Sequence, residues 1–229
     1  MIVGHGLLAR AFEPRYGDDP RVTIFASGVS NSRESDPAAF ERERAMLVPL
    51  MHGGSRVVYF GSCGSATGGD AAETPYMRHK RQMEARVLDA GGLVLRLPQV
   101  VGRTPNPNTL TNFLRDRILA GAPFTIWARA ERNLIDVDDV AAIGAAVIDG
   151  AAGPAGVFSI ASARSLPMTE LVSIFERVLG RQAVFTVEPS GDPLRIDVGP
   201  ALLVAAQLGI DLGSGYAESV IRKYYEPRT

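Results

Sequence analysis

Arg56-Val-Val-Tyr-Phe60, the stretch from Pro75 to Ala90, and Leu93-Val-Leu-Arg-Leu97 decide the fold. They read as strand, helix and strand. A β-branched run followed by a proline-opened helical pattern and a second apolar run is a βαβ unit, whose two strands lie parallel. The alternation continues on both sides. Ile2-Val3 forms a very short first strand, with a helix around Leu7 to Phe12. Arg21 to Phe25 forms a second strand, and Pro37 to Met51 a helix carrying charges at Glu41, Arg42, Glu43 and Arg44. Thr109 to Ala120 is a further helix, capped by Asn108 or Thr109. Short strands alternating with longer helices predict an α/β fold, a Rossmann-like parallel sheet with helices on both faces.

Beyond Ala120 the texture changes. Phe124 to Trp127, Asn133 to Val137, Gly156 to Ile160 and Ala183 to Val187 read as short strands. Asp138 to Asp149, Met168 to Leu179, Pro200 to Leu208 and Tyr216 to Tyr225 read as helices. This pattern predicts a smaller C-terminal α+β lobe beside the sheet.

Composition narrows the function. The formal net charge is −1 and the pI about 6.3, so no basic excess points to nucleic acid or a membrane surface. Cys63 is the single cysteine, which rules out an internal disulfide and fits a reducing compartment. One cysteine and three scattered histidines argue against a metal site. Neither a signal peptide nor a membrane-length apolar run is legible, and a cytoplasmic protein is expected. Of the 24 basic residues, 22 are arginine; the two lysines, Lys80 and Lys223, therefore call for local explanations.

Ligands of open parallel sheets bind beyond the carboxyl ends of the strands. Chemistry should collect after Val3, Phe25, Phe60 and Leu97. Gly4-His5-Gly6-Leu7-Leu8-Ala9 is G-x-G-x-x-A between a strand and a helix, a turn that lets backbone approach a pyrophosphate. Tyr76-Met-Arg-His-Lys80 is Y-x-x-x-K, whose i, i+4 spacing puts both side chains on one helix face. A free phenol titrates near pH 10. A nearby ammonium favours the phenolate and brings the tyrosine towards useful acid–base chemistry. Arginine, always charged and differently shaped, cannot replace a tunable lysine. Ser62, after the strand ending at Phe60, is placed to bind a substrate oxygen, with Cys63 and Ser65 competing for that role. Cys63 lacks a neighbouring histidine to act as its base, which argues against a nucleophile. His79 is expected to turn away from the Tyr76–Lys80 face towards the surface. Arg132 offers a fork suited to phosphate or diphosphate, or else a solvated charge.

Together these residues resemble the extended short-chain dehydrogenase/reductase family, the NAD-dependent epimerases, dehydratases and nucleotide-sugar 4-ketoreductases. The resemblance rests on the glycine turn at Gly4 to Ala9, V-V-Y-F-G-S at Val57 to Ser62, and T-P-Y-M-R-H-K at Thr74 to Lys80. It continues with L-R-L-P-Q-V-V-G at Leu95 to Gly102, N-P-N-T-L-T-N-F-L at Asn106 to Leu114, and R-N-L-I-D-V-D-D-V at Arg132 to Val140.

The resemblance implies an NAD(P)-dependent oxidoreductase or epimerase acting on a nucleotide-linked sugar. Tyr76 would be the general acid/base. Lys80 would hold the nicotinamide ribose and lower the Tyr76 pKa. Ser62 would bind the reacting oxygen. The cofactor would meet Gly4, Gly6, Leu7 and Leu8, then Ala26, Ser27, Gly28 and Gly61, with Pro98, Gln99 and Val100 beside the nicotinamide. Cys63, Asn112 and Arg132 would join Ser62 on the substrate side, Arg132 facing the diphosphate. Residues 1–120, with 133–160 partly returning to the sheet, would form the NAD(P)-binding domain, and 121–229 mainly the substrate lobe. A homodimer through the Pro75 to Ala90 helix is also implied.

One departure stands out. Only about 20 residues separate the glycine turn from the Phe25-Ala-Ser-Gly28 segment, where the family places two strand–helix units. The acidic residue that grips the adenosine ribose about 20 positions after the turn is missing. Phe25 to Ser30 therefore matches the family's fourth strand and the loop after it, and the adenosine side of the pocket is cut down. The alternative reading is a non-catalytic, nucleotide- or partner-binding regulatory protein descended from such enzymes.

Overall fold

The structure, a computed structural model, describes residues 1–66, 74–151 and 156–227. The N-terminal part runs β1 (Ile2–Val3), α1 (Leu7–Tyr16), β2 (Val22–Phe25), α2 (Pro37–Leu47), β3 (Arg56–Ser62), α3 (Pro75–Asp89) and β4 (Leu93–Leu97). There follow β5 (Gln99–Val101), α4 (Leu110–Ala120), β6 (Phe124–Trp127), β7 (Glu131–Arg132), β8 (Leu134–Asp136) and α5 (Val137–Ala146). The chain closes with β9 (Gly156–Ser159), β10 (Leu166–Pro167), α6 (Met168–Leu179), β11 (Phe185–Glu188), α7 (Gly199–Gln207) and α8 (Tyr216–Tyr225).

Five strands form one parallel sheet in the order β1-β2-β3-β4-β9. Successive side chains of a strand point to opposite faces, and β3 shows the consequence. Val58 and Phe60 join the large core that contains Phe12, Ile24 and Leu95. Val57 and Tyr59 join a smaller core with Phe25, Leu47, Met83 and Val87 beneath α2 and α3. Both faces are covered, as the unbroken apolar runs require.

Helix ends follow local chemistry. Asp36 accepts from the Ala38 amide at 2.9 Å to cap α2, and Thr74 accepts from the Met77 amide at 3.2 Å to cap α3. Of the two candidate caps for α4, Thr109 is the one used. The helix expected from Pro37 to Met51 stops at Leu47 and tightens into a 3₁₀ turn, Val48–His52. Pro49 lies in that turn, where it has no amide to donate to an α-helical ladder.

Doubly wound sheets run 3-2-1-4-5-6, with strand 1 flanked on both sides. Here β1 lies at the sheet edge beside β2. β2 therefore takes the place of a fourth strand, and the order matches a sheet without strands 2 and 3. Beyond the sheet, β5 pairs with β8, β6 with β11, and β7 with β10. No helix among the described residues is long and apolar enough to cross a membrane.

Candidate active site

The carboxyl ends of β1, β2 and β3 meet as the strand order requires. Gly4 adopts φ +117°, and a Cβ there would stand 2.5 Å from the Ala26 carbonyl oxygen. The turns after β1 and β2 thus pack backbone against backbone, which only glycine permits. Gly6 opens α1 with no side-chain cap, and a Cβ on it would meet nothing within 4 Å. The first amides of α1 face an open approach, so the turn fits the pyrophosphate of a dinucleotide.

Tyr76, Lys80 and Glu84 lie at successive i, i+4 positions of α3, and all three are buried against the sheet. The Tyr76 phenol faces Ser62 at the end of β3, near enough for that hydroxyl to lower its pKa. Ser62 also accepts from the Gly64 amide at 3.2 Å. The two residues that the sequence pairs, Ser62 and Tyr76, lie on neighbouring elements, β3 and α3. The Ser65 side chain lies outside the described residues.

Lys80 departs from expectation. Its Nζ donates to Glu43 Oε1 at 3.2 Å and to the Tyr59 hydroxyl at 2.9 Å. It stands 5.9 Å from the Tyr76 ring centroid. Burial pushes the Tyr76 phenol up to about 12, helped by the Glu43 and Glu84 carboxylates, while the nearby Ser62 hydroxyl works the other way. The expected lowering of the Tyr76 pKa by Lys80 is therefore not found. The ammonium faces Glu43, and desolvation of the phenol dominates.

Glu43 is the residue that sequence reading missed. It is 1% exposed, and its Oε1 also accepts from the Tyr59 hydroxyl at 2.6 Å, while Oε2 accepts from the Val29 amide at 2.6 Å. Burial raises its pKa, but the Lys80 charge and these bonds outweigh that and hold it below the usual carboxylate value. A signal existed. Ala39, Glu43 and Leu47 are spaced by four, so the inward face of α2 carries one carboxylate between two apolar residues.

His79 is corrected as well. Instead of facing solvent it is 3% exposed, stacks on Phe40 at 4.6 Å, and places Nε2 3.1 Å from Glu43 Oε2. Burial lowers its pKa against the pull of Glu43, which favours the neutral ring at pH 7.

The remaining predicted residues divide. Gly28 lies against the ion pair, since a Cβ there would stand 2.8 Å from Lys80 Nζ. A Cβ on Gly61 would stand 2.2 Å from Glu84 Oε1, so this glycine admits the buried Glu84, whose half-buried partner Arg96 is 2.6 Å away. Ala26 continues from β2, donating its amide to the Val3 carbonyl at 2.8 Å, and the Ser27 hydroxyl rests against Met46. Leu7 and Leu8 are half-buried on α1, and Leu7 packs against Gly102. Pro98 leads into β5, where Gln99 and Val100 are half-buried. Cys63 is 1% exposed and burial pushes its thiol up to about 12, which makes it unreactive. Asn112 is buried. Its amide donates to the Thr104 and Asn106 carbonyls at 3.0 and 2.8 Å and accepts from the Tyr225 hydroxyl at 2.9 Å, so it braces the loop before α4. Arg132 is half-buried and donates to the neighbouring Glu131 carbonyl at 2.7 Å. Burial, and then the nearby Arg33 charge, lower its pKa. No carboxylate pairs with either arginine among the described residues.

A family model described as the NAD dependent epimerase/dehydratase family matches residues 37–161, more than half of the chain. No curated protein matches. Among solved structures, UDP-glucose 4-epimerase of Thermus thermophilus, a complex with NAD, superposes with a TM-score of 0.70 at 17% identity, over 95% of this chain and 81% of that one. dTDP-glucose 4,6-dehydratase of Bacillus anthracis, also with NAD, gives 0.70 at 14%, over 96% and 77%. UDP-glucuronic acid 4-epimerase of Bacillus cereus with NAD gives 0.70 at 14%, over 97% and 78%. At these identities the superpositions establish the fold, and the match across β3, α3 and β4 establishes the lineage: the chain belongs to the NAD dependent epimerase/dehydratase family.

Proposed function

We propose that this protein is an NAD-dependent oxidoreductase or epimerase acting on a nucleotide-linked sugar, with Ser62, Tyr76 and Lys80 at its centre. The observation that supports this reading most is the approach of buried Tyr76 on α3 to Ser62 at the carboxyl end of β3. Two hydroxyls converge there on the place where a substrate oxygen would sit. Bound NAD would supply the hydride acceptor for the sugar carbon, or the donor when reduced. Gly4, Gly6 and the first amides of α1 would hold its pyrophosphate, and Gln99 and Val100 would line the nicotinamide end. Tyr76 keeps its proton far above neutral pH and so serves first as an acid, protonating the oxygen of a carbonyl as it is reduced. Ser62 orients that oxygen.

Arg132 supports the substrate class. A half-buried guanidinium with no carboxylate partner among the described residues suits a diphosphate, which would neutralise it. The structural relatives include a protein solved with UDP-glucuronic acid and with UDP-glucose. Residues 121–229 would then be mainly the substrate lobe. NADP as an alternative cofactor, a cytoplasmic setting and a homodimer through α3 belong to the same reading.

The test is turnover. The protein is incubated with NAD(H) or NADP(H) and a panel of UDP- and dTDP-sugars, and products are separated by ion-exchange chromatography. Conversion should fall by about 10²–10⁴ in Tyr76→Phe. Conversion unchanged in that variant, or no cofactor binding at millimolar concentration, would sink the proposal.

A second reading, a non-catalytic nucleotide- or partner-binding regulator, is favoured by one observation. Gly28 and Glu43 enclose Lys80, which is 3% exposed. Saturable NAD binding without turnover of any sugar would select it.

A further inference from the structure

The chain has two lysines, and one of them is almost wholly withdrawn from water. The groups around the Lys80 nitrogen come from four directions. α2 contributes Glu43, 3.2 Å away, and β3 contributes Tyr59, whose hydroxyl is 2.9 Å away and whose ring centroid is 4.8 Å away. α3 itself contributes Tyr76 and Glu84, and the turn after β2 lays Gly28 across the nitrogen. Among the described residues, Glu43 is the one carboxylate in direct contact with it. Of the other titratable groups on Glu43, Tyr59 keeps its proton because burial and then the Glu43 charge raise its pKa, and His79 favours its neutral form, with Arg44 beyond it.

A lysine in such surroundings without a counter-ion gives up its proton, and buried lysines titrating near 5–6 are documented. Desolvation pushes Lys80 in that direction, and the largest opposing influence is Glu43. Through the Val29 amide at 2.6 Å, the same carboxylate ties down the turn that covers the nitrogen.

We propose that Glu43 is a positioning residue of this site: it is the counter-ion that keeps Lys80 charged, and it pins the 26–29 turn over it. The proposal rests on reading Lys80 as the group that holds the cofactor ribose. Its first test is independent of turnover.

With lysine labelled by ¹³C at Cε, the protein gives two resonances, and Lys223→Arg assigns them. In the unaltered chain the Lys80 resonance should remain that of an ammonium up to pH 8. In Glu43→Gln it should titrate at least two pH units lower, and in Glu43→Asp close to the unaltered position. A neutral Lys80 at pH 7 in the unaltered chain overturns the proposal, even if Glu43→Gln does not fold. So does an identical titration in the folded variant.

The functional arm follows NAD(H) binding against pH. Glu43→Gln should bind at least tenfold more weakly at pH 8 and recover towards pH 6, as Lys80 regains its proton. A structural defect alone would give a loss independent of pH, and that result also counts against the proposal. Absence of turnover combined with the expected lysine spectra would remove the enzyme reading and leave the role of Glu43 standing.

Discussion

Tyr76 shows how far a residue's chemistry depends on what lies behind it. The i, i+4 spacing alone suggests an ammonium beside a phenol; in the fold the ammonium turns to Glu43, and burial with two carboxylates raises the phenol to about 12. The same network makes a stability prediction. Glu43 has a folded-state pKa below its ordinary value of 4.5. Its contribution is therefore fully present above that value and is lost as pH falls through the lower, folded-state one. Removing one partner of a buried pair costs about 3–5 kcal/mol. Urea denaturation should thus separate the unaltered protein from Glu43→Gln by about 3 kcal/mol at pH 7, with the gap closing as pH falls below the ordinary carboxylate value. A gap that stays constant with pH would show that the carboxylate's charge is not what stabilises. Lys80 and Tyr76 were legible from sequence because they share a helix. Glu43 was not, because a charged residue within Glu41-Arg-Glu-Arg44 reads as part of a solvated face until β3 and α3 are laid against it.

Two glycines separate stability from binding at the level of the element. Gly61 sits in β3 where a Cβ would collide with the Glu84 carboxylate. Gly61→Ala must push the buried Glu84 carboxylate off Arg96, and disturbing that half-buried pair should destabilise the protein by about 2–3 kcal/mol, read by chemical denaturation. Gly6 opens α1 where a Cβ has free space. Gly6→Ala should change stability by less than about 1 kcal/mol yet weaken NAD binding at least tenfold, since the methyl group would occupy the approach to the helix N-terminus. Equal effects of both substitutions on stability would contradict this division. The elements themselves were largely readable, because runs such as Val57 to Phe60 and Leu93 to Leu97 are β-branched or apolar almost throughout. β5, β7 and β10 were not anticipated: two- and three-residue strands are too short to carry a period, and they exist because a partner strand supplies the other half of the ladder.

Over the whole molecule, the sheet begins where other doubly wound sheets have their third strand in from the edge. The family match starts at Pro37, beyond the glycine turn. The adenosine half of a dinucleotide would therefore lie against an edge strand two residues long. NAD and nicotinamide mononucleotide should then bind within about tenfold of each other, since one tenfold step corresponds to about 1.4 kcal/mol; calorimetry on both ligands decides it. A preference for NAD above a hundredfold would mean that an adenosine subsite is formed by other means.

Local periodicity and the glycine turn were enough to predict a parallel α/β sheet, with Tyr76, Lys80 and Ser62 expected at its carboxyl edge. Those features depend on residues a few positions apart, whose geometry the backbone imposes. The partner of Lys80 comes from 37 residues earlier in the chain, the cover over it from the turn after β2, and the burial of both from the sheet beneath. Charge state and access at this site follow from desolvation and long-range contacts, and only the tertiary structure decided those.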